Sequence, residues 1–123
     1  MAHQGFSSGR RILYSKEFDA VFRGSQYRVS SAEFLILAIE SRFPTSRIGM
    51  VIGKKNTSLA VDRNHIKRRV RESFRTSLNV NVCVDIVIVS RSDVNRIQGA
   101  ELTRVLTGLW AKLGKKILAT THV

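Results

Sequence analysis

Basic side chains are concentrated in one stretch of the chain, between Lys54 and Arg75. The planar fork of an arginine can hold a phosphate group through two hydrogen bonds and can stack on a nucleobase, whereas a lysine acts as a point charge. An asparagine among them adds an uncharged donor and acceptor for a phosphate, a sugar hydroxyl or a bridging water. We therefore predict a surface that binds a polyanion, formed by Lys54, Lys55, Arg63, Asn64, Lys67, Arg68, Arg71 and Arg75.

The same stretch has the spacing of an amphipathic helix. Ile66, Val70 and Phe74 recur every four residues, and at about 100° per residue they form one narrow stripe that must face a core. The basic residues occupy the adjacent face, where only Asp62 and Glu72 are near enough in sequence to offset them. Like charges four residues apart destabilise an isolated helix by roughly 0.2–0.5 kcal/mol per pair. Because a merely solvated face usually mixes both signs, the pattern favours a binding surface.

The composition points to the same kind of partner. The chain has 123 residues, enough for one domain, and its 21 Lys and Arg against 9 Asp and Glu leave a net charge of +12. Such an excess favours nucleic acid, with an anionic membrane surface as the second choice. The longest apolar runs are far shorter than the roughly 20 residues that span a bilayer, and no secretory signal is evident. A single cysteine, Cys83, fits a reducing compartment, so we predict a cytoplasmic protein.

The residues that could do catalytic or metal chemistry are dispersed. The three histidines are far apart, and no second cysteine or carboxylate joins them at the spacing of metal ligands. A protein nuclease that uses two Mg²⁺ ions needs clustered carboxylates, whereas Asp62, Glu72 and Asp85 are well separated. We therefore predict no catalytic residue and no metal site in the chain itself. A weak Mg²⁺ site shared by Asp62 and an RNA phosphate is left open.

Periodicity and turn residues predict seven elements in a single α+β domain that spans residues 1–123. The first 12 residues are polar and rich in Gly and Ser, and we predict that they form a loose basic arm. Helices and strands are predicted from their characteristic spacings, with Gly114 as the stop of the last helix. The order is a helix at Ser15–Gly24, strands at Tyr27–Val29, Phe34–Ile39 and Ile48–Ile52, a helix at Leu59–Ser77, a strand at Val82–Val89 and a helix at Ala100–Leu113.

The helix from Ala60 to Arg75 closely resembles the signature of the bacterial ribonuclease P protein subunit. That signature reads Arg-Asn-x-Ile-Lys-Arg, here residues 63–68, and then Arg-Glu-x-Phe-Arg, here residues 71–75. It is specific because it sets both the basic face and the apolar stripe of one helix. Phe18 and Phe22 in a short first helix, and Gly49 with the lysine pair at 54–55, extend the resemblance over most of the chain.

The resemblance implies a concrete role. The family subunit joins one large catalytic RNA, as a 1:1 complex, and helps to remove the 5′ leader of precursor tRNA. The RNA supplies the active site and its Mg²⁺ ions, so the protein alone binds no cofactor and cleaves no bond. The resemblance also implies a small, mostly antiparallel four-stranded sheet, in which the signature helix joins two parallel strands by a rare left-handed crossover.

The family's cleft for the single-stranded leader lies between the sheet and the first helix. Such a cleft needs cations for phosphates and apolar or aromatic surface for bases. Alternation along the second strand places its residues on two faces, and the sequence leaves open which face meets the cleft. Phe18 and Phe22 fit a core as well as a binding platform. Our candidates for the leader cleft are Arg10, Arg11, Phe18, Phe22, Phe34 and Ile36.

Two other functions remain compatible with the residues. A structural RNA-binding protein, such as a ribosomal component, would also carry this charge but would not need a leader cleft. A stand-alone protein nuclease is disfavoured because the metal ligands are missing. Dependence of activity on leader length separates the first alternative from the ribonuclease P role, and activity without added RNA separates the second.

Overall fold

The predicted order of elements is confirmed, and their ends agree with the prediction to within two residues at all but the last helix. The structure, a computed structural model, describes residues 15–41, 44–78, 83–91, 94, 97 and 99–121. In this part of the chain no helix is long and apolar enough to cross a membrane. The elements are α1 (Ser15–Gly24), β1 (Tyr27–Ser30), β2 (Phe34–Glu40), β3 (Arg47–Val51), α2 (Ala60–Ser77), β4 (Val84–Ser90) and α3 (Gly99–Thr121).

The four strands form one mixed sheet in the order β1-β2-β4-β3. The pairs β1–β2 and β2–β4 are antiparallel, whereas β3 and β4 are parallel and are joined through α2. The prediction of a mostly antiparallel sheet with one parallel pair is therefore confirmed. The left-handedness of the β3–α2–β4 crossover stays a prediction.

Helices α2 and α3 cover one face of the sheet and enclose the main core. This core includes Phe34, Ile36 and Trp110, each no more than 1% exposed. Burying one such side chain contributes roughly 1.5–3 kcal/mol relative to leaving it in water. The indole N–H of Trp110 donates to Ser73 Oγ at 2.8 Å, and its ring meets Phe74 edge-on with ring centroids 5.7 Å apart. Trp110 is thus a packing residue with its polar atom satisfied.

Helix α1 covers the opposite face with a smaller apolar cluster. Val21 of α1 packs against Leu37 of β2 and Val87 of β4, which are paired across the two strands. Because successive side chains of a strand point to opposite faces, β2 and β4 supply apolar residues to both clusters. This explains why both strands read as nearly continuous apolar runs and why they lie at the centre of the sheet.

The predicted end of the last helix at Gly114 is wrong. Helix α3 runs on to Thr121, and Gly114 is a buried position inside it. A glycine in a helix interior destabilises the helix by about 1 kcal/mol relative to alanine. Burial of one large apolar side chain stabilises the fold by more than that. Ile117 is fully buried four residues after the fully buried Leu113, so the apolar stripe continues past the glycine. The last turns therefore form because they pack on the protein.

Candidate nucleic-acid interface

The apolar stripe of α2 lies where the spacing predicts it. Ile66, Val70 and Phe74 are 7%, 0% and 2% exposed and belong to the main core, which confirms the helical phase. The predicted polyanion-binding side chains consequently lie on the outer side of the helix or in the turn before it. Lys54, Lys55, Asn64, Arg68 and Arg75 are exposed, whereas Arg63, Lys67 and Arg71 are half-buried.

One of these residues also builds the loop before the helix. The Nη1 of Arg63 donates to the carbonyls of Thr57 and Ser58, both at 2.9 Å. Thr57 in turn donates its N–H to the carbonyl of Gly53 at 3.0 Å, which closes the turn that carries Lys54 and Lys55. Arg63 therefore brings the lysine pair next to the first turn of α2. The basic turn and the basic helix form one continuous surface, which we call the α2 surface.

The cations of the α2 surface differ in their counterions. Arg75 pairs with Glu72 at 2.5 Å, and this hydrogen bond lowers the pKa of the Glu72 carboxyl and raises the pKa of Arg75. In the part of the chain that the structure describes, no ion pair engages Lys67 or Arg68. A cation without a local acid is left to interact with an external anion. Lys67 and Arg68 are therefore available to an external anion, as are the exposed Lys54 and Lys55.

A buried ion-pair cluster holds α1 against the sheet. Arg47 of β3 donates to Asp85 of β4 from Nε at 3.0 Å and from Nη2 at 2.8 Å, and to Glu17 of α1 from Nη1 at 2.9 Å. The Asp85 hydrogen bond is the largest cause of the raised pKa of Arg47. Sequence reasoning missed this cluster because its members are up to 68 positions apart. The usable signal is an arginine at the start of an otherwise apolar strand.

Helix α1 leaves part of its sheet face open. Its beginning is tied to Arg47, and at its end a Cβ on Gly24 would lie 3.1 Å from Ile39 Cδ1. In the register, Arg47 and Ile39 are both paired with Asp85, and Val21 packs on the next row at Leu37 and Val87, so α1 covers these two rows. Rows farther from α1 are less covered. The third row on this face contains Leu35 and Val89, which are both half-buried, and Val51, which is 41% exposed.

Besides this row, α1 leaves two of its own aromatic side chains accessible, Phe18 in part and Phe22 more fully. Phe18 is half-buried against the α1 cluster, and Phe22 is 44% exposed. We define the α1 cleft as Leu35, Val51, Val89, Phe18 and Phe22. It offers apolar and aromatic surface of the kind on which unstacked bases pack.

Two of the predicted cleft residues are wrong. Phe34 and Ile36 are fully buried on the other side of the sheet, in the core under α2 and α3. Because alternation is strict within a strand, the cleft side of β2 instead presents Leu35 and Leu37. The predicted contributions of Arg10 and Arg11 lie outside the described residues, as does the whole predicted N-terminal arm.

No group of three or more His, Cys, Asp or Glu side chains that could hold a metal ion occurs among the residues that the structure describes. Asp62 is exposed in the first turn of α2. The geometry thus presents two surfaces, one strongly basic and one apolar and aromatic, on elements that the same sheet holds in place.

Comparison with known proteins identifies the family. The model of the Ribonuclease P family matches residues 6–114. The ribonuclease P protein component of Pseudomonas putida is 40% identical over 94% of this chain and 86% of its own length. That of Chromohalobacter salexigens is 38% identical over 95% and 91%.

Solved structures agree with this result. The RNase P protein of Thermotoga maritima superposes with a TM-score of 0.67 at 25% identity, covering 87% of this chain and 96% of that one. The Staphylococcus aureus RNase P protein has a TM-score of 0.70 at 22% identity, covering 87% and 94%, and so shares the fold. The signature helix, the mixed sheet and the match over nearly the whole length together show that the chain belongs to the family of ribonuclease P protein components.

Proposed function

We propose that this chain is the noncatalytic protein subunit of ribonuclease P, which binds the catalytic RNA and the 5′ leader of precursor tRNA and assists removal of the leader. The observation that carries the proposal is the α2 surface. There a family signature places Lys67 and Arg68 beside a buried stripe, and no ion pair of the described residues engages them.

The α2 surface is the part that binds the catalytic RNA. A folded RNA presents closely spaced phosphates, and a rigid helix that displays cations at successive turns can contact several of them at once. Arg63 contributes in two ways, since it fastens the lysine turn and adds charge beside it. Asn64 lies exposed on the same helix and can hydrogen-bond a phosphate or a ribose hydroxyl.

The α1 cleft is the part that binds the leader. A leader is single-stranded, so its bases are free to stack on Phe18 and Phe22 and to pack on the half-open row of Leu35, Val51 and Val89. These strand residues take the place of Phe34 and Ile36, which are enclosed in the core.

Catalysis in this proposal belongs to the RNA. The RNA active site holds the Mg²⁺ ions, one protein binds one RNA, and the protein holds the leader so that the scissile phosphate stays at that site. Positioning of this kind raises substrate affinity and lowers the Mg²⁺ concentration that the reaction needs.

The test is cleavage of precursor tRNA by a bacterial ribonuclease P RNA at low Mg²⁺, with and without the protein, over a series of leader lengths. We expect strong stimulation that grows over the first several leader nucleotides and no cleavage by the protein alone. Stimulation that ignores leader length would contradict the role of the α1 cleft. A folded protein that gives no stimulation at any length would contradict the proposal as a whole.

A further inference from the structure

We propose that a basic groove between β1 and α3 continues the α1 cleft and binds the phosphates of leader nucleotides distant from the cleavage site. This inference rests on the proposed function, because it extends the path of the leader beyond the sheet. It adds a second binding segment, on different elements, at the edge of the sheet opposite β3.

The groove is open, and most of its lining residues are cationic. Its volume is about 590 Å³, and Val29 is its one apolar lining residue in the described part of the chain. All four cations that line it are exposed. The Nζ of Lys116 donates to the carbonyl of Arg28 at 2.6 Å, which links α3 to the edge strand. The lining residues are Arg28, Val29, Ser30, Lys112, Lys115 and Lys116.

The charge of this groove has no local explanation. Lys112, Lys115 and Lys116 are three and four residues apart, so they share one face of α3 and repel one another. The single acidic residue of α3 is Glu101, three turns before Lys112. No ion pair of the described residues engages Arg28, Lys112 or Lys115. The helix dipole does not account for them either, because its effect is confined to the last turn and α3 ends at Thr121.

The register connects the groove to the α1 cleft. Ser30 is paired with Leu35, Leu35 with Val89, and Val89 with Val51, so one row crosses all four strands on the α1 side. At about 4.8 Å between strands, the row is roughly 14 Å long. Ser30 itself lines the groove. A strand of RNA that follows the row over the edge of β1 therefore enters the basic groove directly.

The other end of the same row sets the direction of the leader. Val51 is the last residue of β3, and the chain continues from it into the turn of Lys54 and Lys55 and then into α2. In the proposed function this end faces the catalytic RNA, where the 3′ end of the leader is cleaved. The 5′ part of the leader must then leave across β1, where its phosphates meet Arg28, Lys112 and Lys115.

The experiment compares a short leader with a long one on the assembled holoenzyme. The dissociation constant of precursor tRNA is measured with a leader of about two nucleotides and with one of about twelve, within the roughly 4–16 nucleotides that compact single-strand binders cover. The variant is Lys112→Gln/Lys115→Gln. Lys116 is retained because its Nζ holds the β1 backbone. Arg104→Gln, an exposed cation of the same helix outside the groove, is the control for a change in overall charge.

We expect the double variant to bind the long-leader substrate roughly four- to 25-fold more weakly, since each lost cation accounts for roughly a two- to fivefold loss. The salt dependence of binding should fall by about 0.7 log units per log unit of salt for each lost contact to a single strand. Binding of the short-leader substrate should not change, and Arg104→Gln should affect neither substrate.

Equal losses for both leaders would overturn the inference, because they would reflect general charge or assembly with the catalytic RNA. An unchanged long-leader affinity would overturn it as well. In both cases the proposed function still stands if the wild-type protein binds the long-leader substrate more tightly than the short-leader one. Failure of the wild-type protein to discriminate them would instead count against the α1 cleft.

Discussion

Replacement of Arg68 by alanine removes one exposed cation from the α2 surface without touching the core. In the described residues Arg68 has no ion-pair partner, and its side chain projects away from the buried stripe of Ile66 and Val70. The variant should therefore fold as the wild type does. Its defect should appear only in affinity for the catalytic RNA and in the salt dependence of that affinity.

The magnitude follows from counterion release. Each phosphate contact contributes roughly 0.7–0.9 to the slope of log affinity against log salt, so Arg68→Ala should flatten the slope by about that amount. Over a rise from about 50 mM to about 200 mM salt, the affinity gap between wild type and variant should shrink about threefold. Arg75→Ala is the matched control. Glu72 already offsets Arg75 at 2.5 Å, so the slope should change less.

The assay is a salt titration of the dissociation constant with a bacterial ribonuclease P RNA, alongside circular dichroism to verify the fold. An unchanged constant and slope for Arg68→Ala would refute the assignment of the α2 surface. A loss of affinity with an unchanged slope would show that the residue acts on protein structure. Arg63→Ala is expected to combine both effects, since its guanidinium also fastens the turn at Thr57 and Ser58.

Three further outcomes are expected. Val70→Asp should abolish the cooperative thermal transition, because an unpaired charge at this fully buried site lowers the free energy of unfolding by roughly 3 kcal/mol or more. A variant that still folds cooperatively would show that the helical phase is wrong. Glu17→Gln should lower the free energy of unfolding in urea by only about 1 kcal/mol, because it leaves the Arg47–Asp85 pair intact. It should weaken binding of the leader more than assembly with the catalytic RNA. Equal effects on both would argue against α1 as a wall of the cleft. In an NMR titration of the free protein, the pKa of Glu72 should lie below its ordinary value and return to it in Arg75→Ala. Because the pKa is lowered in the folded protein, the pair's contribution to stability is present above the ordinary pKa of Glu72 and is lost as the pH falls through the lowered pKa. An unshifted pKa would show that the pair does not persist in solution.

Helix α2 could be predicted in detail because its information is local. A spacing of four places Ile66, Val70 and Phe74 on one side whatever the rest of the chain does, so the basic side chains have only the outer side left. The same segment carries the family signature. The presence of the α2 surface could therefore be read from the sequence alone.

The face of β2 that meets the cleft was decided by tertiary structure. Both sets of alternating side chains in this strand are apolar, so periodicity assigns two faces without telling which of them α1 covers. That choice depends on long-range pairing, because Arg47 binds both Glu17 and Asp85 and so sets α1 over Leu37 and Val87.

The end of α3 and the groove beside β1 depend on tertiary structure for the same reason. Gly114 is a good local stop signal, yet burial of Ile117 carries the helix past it. The sequence by itself determined a strongly basic chain with a family signature helix, since charge and helical period are local properties. Only the tertiary structure decided the position of the apolar row that contains Leu35 and Val89, and the edge at which it leaves the sheet. The reason is that strand register and ion pairs join residues that are distant in the chain.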